Sequence, residues 1–179
     1  MKNLLTIFIL CFTTFAFSQV IIGDKVGTAT NKNAVLLEFA AGQNKGIILP
    51  YVRVLPTTPT IGTLLVDATD EANASVKYYN GSWVDLSSGN TADISSELQL
   101  QPSTTTEGTN AKTIIGSETS AASGVLVLES SSKVLLLPQV QSIADIKSPS
   151  PGMMVYINKT GAKKLAVFNG AKWTYWGPN

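Results

Sequence analysis

The chain has no histidine, and its only cysteine is Cys11. These absences exclude Ser-His-Asp and Cys-His nucleophilic catalysis and the imidazole or thiolate sites that hold zinc. Charge is sparse as well: only 14% of residues are charged, 13 Lys+Arg against 12 Asp+Glu. There is no basic surplus or polybasic block to neutralise phosphates, so nucleic acid is not an expected partner. The glycines form no GxGxxG or Walker pattern, so no nucleotide site is expected, and nothing else in the chain calls for a cofactor.

Long apolar runs are missing except at the N-terminus. Lys2 supplies a positive start, and residues 4–17 are apolar apart from Thr6, Thr13 and Thr14. Ala16 and Ser18 place small residues at the −3 and −1 positions of a cleavage site. The run is shorter than the roughly 20 residues that cross a bilayer, so residues 1–18 read as a secretory signal peptide, with the mature chain starting near Gln19. Cys11 sits deep in the apolar stretch behind the bulky Leu10, which argues against a lipid anchor. Cleavage removes Lys2 and Cys11, leaving 12 basic and 12 acidic residues and no thiol. No membrane span follows, so the expected location is secreted or cell surface. An exported chain without disulfides must be held by burial, repetition or oligomerisation.

Repetition is present. Ile21-Ile22-Gly23 recurs as Ile114-Ile115-Gly116, and Ala34-Val35-Leu36-Leu37-Glu38 as Val125-Leu126-Val127-Leu128-Glu129. Lys45-Gly46-Ile47-Ile48-Leu49-Pro50 recurs as Lys133-Val134-Leu135-Leu136-Leu137-Pro138. Gly62-Thr63-Leu64-Leu65-Val66 matches Gly152-Met153-Met154-Val155-Tyr156, each a short distance after a proline, Pro59 or Pro149. Tyr78-Tyr79-Asn80-Gly81 matches Val167-Phe168-Asn169-Gly170, followed by Trp83 or Trp173. Five blocks in one order define two tandem copies. The expected division is a first repeat over 19–88, a Ser/Thr-rich linker over 89–113 and a second repeat over 114–179.

The expected fold class is mainly β with little helix: two copies of a short-stranded unit ending in an Asn-Gly hairpin. In the first copy, strands are expected over 35–39, 46–49 and 63–66, then hairpin arms over 76–79 and 83–86. Asn80-Gly81 and Asn169-Gly170 predict type I′ turns, the second loop being one residue longer. A helical turn is expected over 94–100 with Asp93 as cap, and another over 142–146 in the second copy only, because Pro56 and Pro59 oppose it in the first. A unit of roughly 65 residues buries only about 60% of its unfolded surface. The copies are therefore expected to pack together or the chain to associate with itself, since bare strand edges seek partners.

Several groups are candidates for chemistry. Glu38 and Glu129 recur at equivalent positions and would need to lie about 5–10 Å apart to act as a glycosidase-type pair; the simpler expectation is a strand acid facing solvent or a lysine such as Lys45 or Lys133. Asp67, Asp70, Glu71 and Asn73 supply oxygen ligands of the kind calcium takes, but their spacing fits no EF-hand loop, and a solvated tip is expected. Asn73, Asn80 and Asn158 begin N-glycosylation patterns, which carry little meaning beside a bacterial-type signal. No catalytic or metal residue is assigned. The aromatics are the one binding candidate: Tyr78, Tyr79, Trp83, Phe168, Trp173, Tyr175 and Trp176 gather on the hairpins. Such rings stack on sugars, but cross-strand packing is their commoner use, with Trp176 the one expected to stay exposed.

The blocks resemble a repeat common in secreted proteins of Bacteroidota, which reads roughly ALLEL, KGFLPPR, NPxxGLLVYNT and LxxYNGTxW. It shares its vocabulary with phage-tail-fibre-like and surface-fibre proteins. This chain departs from it in having Tyr51-Val52 after the single Pro50, and Gln141 in the second copy where the first has Arg53. The resemblance implies a secreted, Gram-negative, β-structured chain with a non-enzymatic structural or assembly role at the cell surface or in an extracellular fibre. Its partners would be copies of itself or other surface proteins. A carbohydrate-binding or adhesive module using the hairpin aromatics is the alternative.

Overall fold

The structure is a computed structural model, described here for residues 19–102, 108 and 111–177. The signal peptide expected over 1–18 lies outside the described residues. The first copy contains β1 (Val20–Ile22), β2 (Val35–Phe39), β3 (Ile47–Ile48), β4 (Tyr51–Val52), β5 (Leu64–Asp67), β6 (Ser75–Tyr79) and β7 (Trp83–Asp85). The second contains β8 (Thr113–Ile115), β9 (Leu126–Leu128), β10 (Val134–Leu135), β11 (Gln139–Val140), β12 (Met153–Ile157), β13 (Lys164–Phe168) and β14 (Trp173–Trp176). One short helix, α1 (Ser95–Gln99), lies between them.

The two copies share one topology. In the first, β4 runs parallel to β5, and β5, β6 and β7 form an antiparallel meander. In the second, β11 runs parallel to β12, and β12, β13 and β14 repeat the meander. The registers match residue for residue: Tyr51 faces Val66 as Gln139 faces Tyr156, and Tyr79 faces Trp83 as Phe168 faces Trp173. The leading pairs differ. β1 aligns Ile21 with Glu38, whereas β8 aligns Ile114 with Val127, a shift of two residues. A two-residue shift keeps every side chain on its own face, so the repeat tolerates it.

The hairpin turns correct one expectation. Among the described residues, positive φ outside glycine occurs only at Asn44, Ser88 and Ser148, so Asn80 and Asn169 do not adopt type I′ geometry. Only the glycines turn over, Gly81 at φ 110° and Gly170 at φ 115°. The loops are longer than the two residues a type I′ hairpin uses: three residues separate Tyr79 from Trp83, and four separate Phe168 from Trp173. The asparagine acts through its side chain instead. Asn169 Oδ1 accepts from the N–H groups of Ala171 and Lys172, each at 2.9 Å.

The segment expected to be a linker supplies part of the core. Ala92 exchanges backbone hydrogen bonds with Ala74 at 2.9 and 3.0 Å. Ile94 and Leu98, four apart on one helical face, are buried beside Val66, Val76 and Leu86. The cap differs by one residue from expectation: Ile94 occupies the N-cap position, and Asp93 Oδ1 accepts from the Ser95 N–H at 3.0 Å. The expected turn in the second copy is a 3-10 turn over Ile143–Asp145, closed by a reciprocal cap between Ser142 and Asp145.

The main core belongs to both copies. Met154 and Val167 of the second join Leu49, Val66, Val76, Leu86, Ile94 and Leu98 of the first half. The alternate residues of β12, Met153, Val155 and Ile157, face a second cluster with Val140, Ile146 and Ala166. β12 is thus covered on both faces, which is why it reads as a continuous apolar run rather than an alternating one.

Candidate functional site

The aromatic residues fall into two equivalent pairs and an exposed end. Tyr79 and Trp83 pack with ring centroids 5.2 Å apart, and Phe168 and Trp173 with centroids 5.1 Å apart. Both are cross-strand partners. Phe168 and Trp173 pack on the second cluster, and Tyr78 on the main core. Tyr175 and Trp176 are exposed. As successive residues of β14 they point to opposite faces, so they do not form one stacking platform. Lys164 Nζ lies 4.2 Å from the centre of the Tyr175 ring, while Trp176 Nε1 donates to the Leu86 carbonyl at 3.2 Å.

Glu38 is fully buried, contrary to the expectation of a strand acid facing solvent, and its lysine is Lys32 rather than Lys45. The cause is a loop folded over β2. The Thr28 and Ala29 N–H groups each donate to Oε2 at 2.8 Å, and Lys32 Nζ lies 2.5 Å from Oε1, to which Gln19 also donates. Burial pushes this carboxyl's pKa up, but the Lys32 ammonium and the two backbone N–H groups outweigh it and leave the pKa lowered. Four donors occupy a carboxylate's normal capacity. Glu129 accepts from Ser120 Oγ in its own copy. The acidic loop is likewise engaged with protein donors. Asp67 pairs with Lys77 at 2.6 Å and accepts from Thr69, and Asp70 accepts from the Ala72 N–H and Asn73 Nδ2. Among the described residues no group of three or more His, Cys, Asp or Glu is arranged to hold a metal ion, and no helix is long and apolar enough to cross a membrane.

The most distinctive geometry is strand exchange between the copies. β10 of the second copy lies parallel to β2 of the first, with Val134 opposite Val35 and Leu135 opposite Leu37. The Val134 N–H donates to the Ala34 carbonyl at 2.9 Å, and the Leu136 N–H to the Leu37 carbonyl at 2.8 Å. In return β3 of the first copy pairs antiparallel with β12 of the second, Ile48 opposite Met153 and Ile47 opposite Met154. Gly46 permits this approach: a β-carbon there would lie 2.5 Å from Met153 Cγ and 2.8 Å from the Met154 carbonyl oxygen.

Because each exchange is made once, half of the equivalent edges are left over. β2 has strands on both sides, but among the described strands β9 pairs only with β8, and β3 only with β12. Burial follows the pairing. Val35 is 6% exposed, while its counterpart Leu126 is 52% exposed; Ile48 and Val134 are 52% and 59% exposed. None of these edge residues stood out in the sequence. The replacement of Gly46 by Val134 between otherwise matching blocks was the one visible sign that the copies meet different neighbours.

The fold and its edges define a tandem β-repeat chain whose copies complete each other's sheets. Residues 114–178, the second copy, match the family model described as a phage tail like trimerisation region. No curated protein and no solved structure matches the chain.

Proposed function

We propose that this is a non-enzymatic structural protein that associates with copies of itself, as a trimer, within a fibre-like assembly outside the cell. The observation that carries this reading is the match of the second copy to a trimerisation region. The open, apolar edges of β9 and β3 support it independently, because unpaired edges of this kind recruit further strands. Export rests on residues 1–18 and their cleavage site after Ser18.

Chemical cross-linking of the protein on intact, secreting cells tests the reading. The expected product is a ladder ending at three chains, with an N-terminus within a residue or two of Gln19. A protein that cross-links to nothing, or that retains Met1 outside the cell, would overturn it. The glycan-binding alternative has less support: each paired ring packs against its cross-strand partner, Phe168 and Trp173 also against the second core cluster, and the two exposed rings point apart.

A further inference from the structure

If copies of the chain associate, the internal strand exchange indicates how. We infer that two chains join head to tail, the outer edge of β9 in one chain receiving β3 of a second copy in parallel, as β2 receives β10 within a chain. The inference rests on the self-association reading and adds the interface to it.

Three observations lead to it. First, the acceptor is built and, among the described strands, open: β9 repeats β2, which is paired on both sides, yet β9 pairs there only with β8. Strand parity turns the N–H and C=O groups of Leu126 and Leu128 away from β8, because the β8 side is occupied by the Val125 carbonyl, which accepts from Thr113, and the Glu129 N–H, which donates to Ile115. Second, the donor is built and open in the same sense. β3 repeats β10, and the two use opposite edges. Within the chain, β10 bonds β2 through the N–H groups of Val134 and Leu136, whereas the Leu49 N–H, in phase with Ile47, faces the second copy and donates to Gly152. The other edge of β3, carrying the N–H groups of Gly46 and Ile48, is the counterpart of the one β10 uses, and none of the described strands lies on it. Third, each edge carries an exposed apolar side chain: Ile48 on β3 and Leu126 on β9 are each 52% exposed in the single chain.

In the joined pair, the Ile48 N–H donates to the Leu128 carbonyl, as Leu136 does to Leu37. The contact starts one residue later than within the chain, because the Val125 carbonyl is already taken by Thr113. The reciprocal exchange is not repeated between chains: Val134 stands where Gly46 lets β3 lie close to its partner strand. Each chain then carries one donor edge and one acceptor edge. Such a heterologous contact closes into a ring or runs on as a filament, and closure after three chains agrees with the match to a trimerisation region.

Two substitutions and their mixture test it on the chain beginning at Gln19. Ile48→Lys disables the donor edge and Leu126→Lys the acceptor edge. Each alone is expected to reduce the parent oligomer to single chains, with at least a tenfold rise in dissociation constant. Mixed in equal amounts, they retain one sound donor and one sound acceptor between them, so one-to-one pairs and nothing larger are expected by native mass spectrometry. Circular dichroism verifies the fold of each, and Ile48→Ser with Leu126→Ser repeats the experiment with smaller changes. Variants that remain oligomeric like the parent, or a mixture that stays monomeric, would overturn the head-to-tail contact while leaving self-association standing. A parent chain that is itself monomeric would overturn both.

Discussion

Gly81 and Gly170 occupy equivalent turns at nearly equal φ, yet they are not equally replaceable. A side chain at Gly81 meets open space, whereas one at Gly170 meets Ala92 Cβ at 2.9 Å and Ile94 and Pro151 at 3.2 Å. Gly81→Val is expected to cost about 1–2 kcal/mol from backbone strain alone, and Gly170→Val about 1–3 kcal/mol more from overpacking; thermal melts of the two would rank them. The asparagines should rank the same way. Asn169 is buried and donates to the Asn90 carbonyl at 2.9 Å, so Asn169→Ala is expected to cost about 2 kcal/mol, and the exposed Asn80→Ala a few tenths. Equal melting temperatures for each pair would contradict this account. Glu38 yields a pH prediction. Its pKa and that of Asp67 are lowered in the folded chain, burial raising each but Lys32 and Lys77 with neighbouring N–H groups prevailing. A carboxyl with a lowered folded pKa contributes stability above its unfolded pKa, about 4, and loses it as pH falls through the folded value. Stability should therefore be level from pH 8 to 5, there being no histidine, and decline below about pH 4. Glu38→Gln should cost about 3 kcal/mol at neutral pH and flatten that acid limb. An unchanged acid limb in the variant would remove Glu38 from the explanation.

At the scale of elements, the meanders were legible, and so was a strand at β3, but the exchange that pairs β3 and β10 with the other copy was not. Asn-Gly followed by tryptophan located both hairpins, because a tight reversal leaves few residue choices. It misled on the turn type, because the extra loop residues let the asparagine side chain replace a left-handed backbone. β3, β4, β10 and β11 span two residues each. So short a strand carries no periodicity to reveal its neighbour, and the pairing of β10 with β2 depends on contacts roughly a hundred residues apart. The core role of Ala92, Ile94 and Leu98 was hidden for a related reason: three apolar residues among serines and threonines look like a linker until α1 aligns two of them. The paired and unpaired copies of one strand should respond differently to truncation. Leu37→Ala, in the fully paired β2, is expected to cost about 3 kcal/mol. Leu126→Ala, on the open edge of β9, should change the stability of the single chain by no more than about 0.5 kcal/mol and act on assembly instead. Denaturant titration at low protein concentration separates the two, and a large loss from Leu126→Ala there would mean that its edge is already covered within the chain.

For the whole molecule, a single cysteine, which excludes any disulfide within the chain, and the small size of each repeat leave burial across copies as the source of stability. The structure supplies it twice within the chain, through the shared core around Met154 and Val167 and through the exchanged strands. Among the described strands, none partners the open edge of β9 or the outer edge of β3. Chains that join there answer the same need that the copies answer for each other. Sedimentation equilibrium of the chain beginning at Gln19, over a hundredfold range of concentration, measures this most directly. The account predicts a species of three chains that dissociates on dilution without loss of β structure; a single chain at every concentration would contradict it.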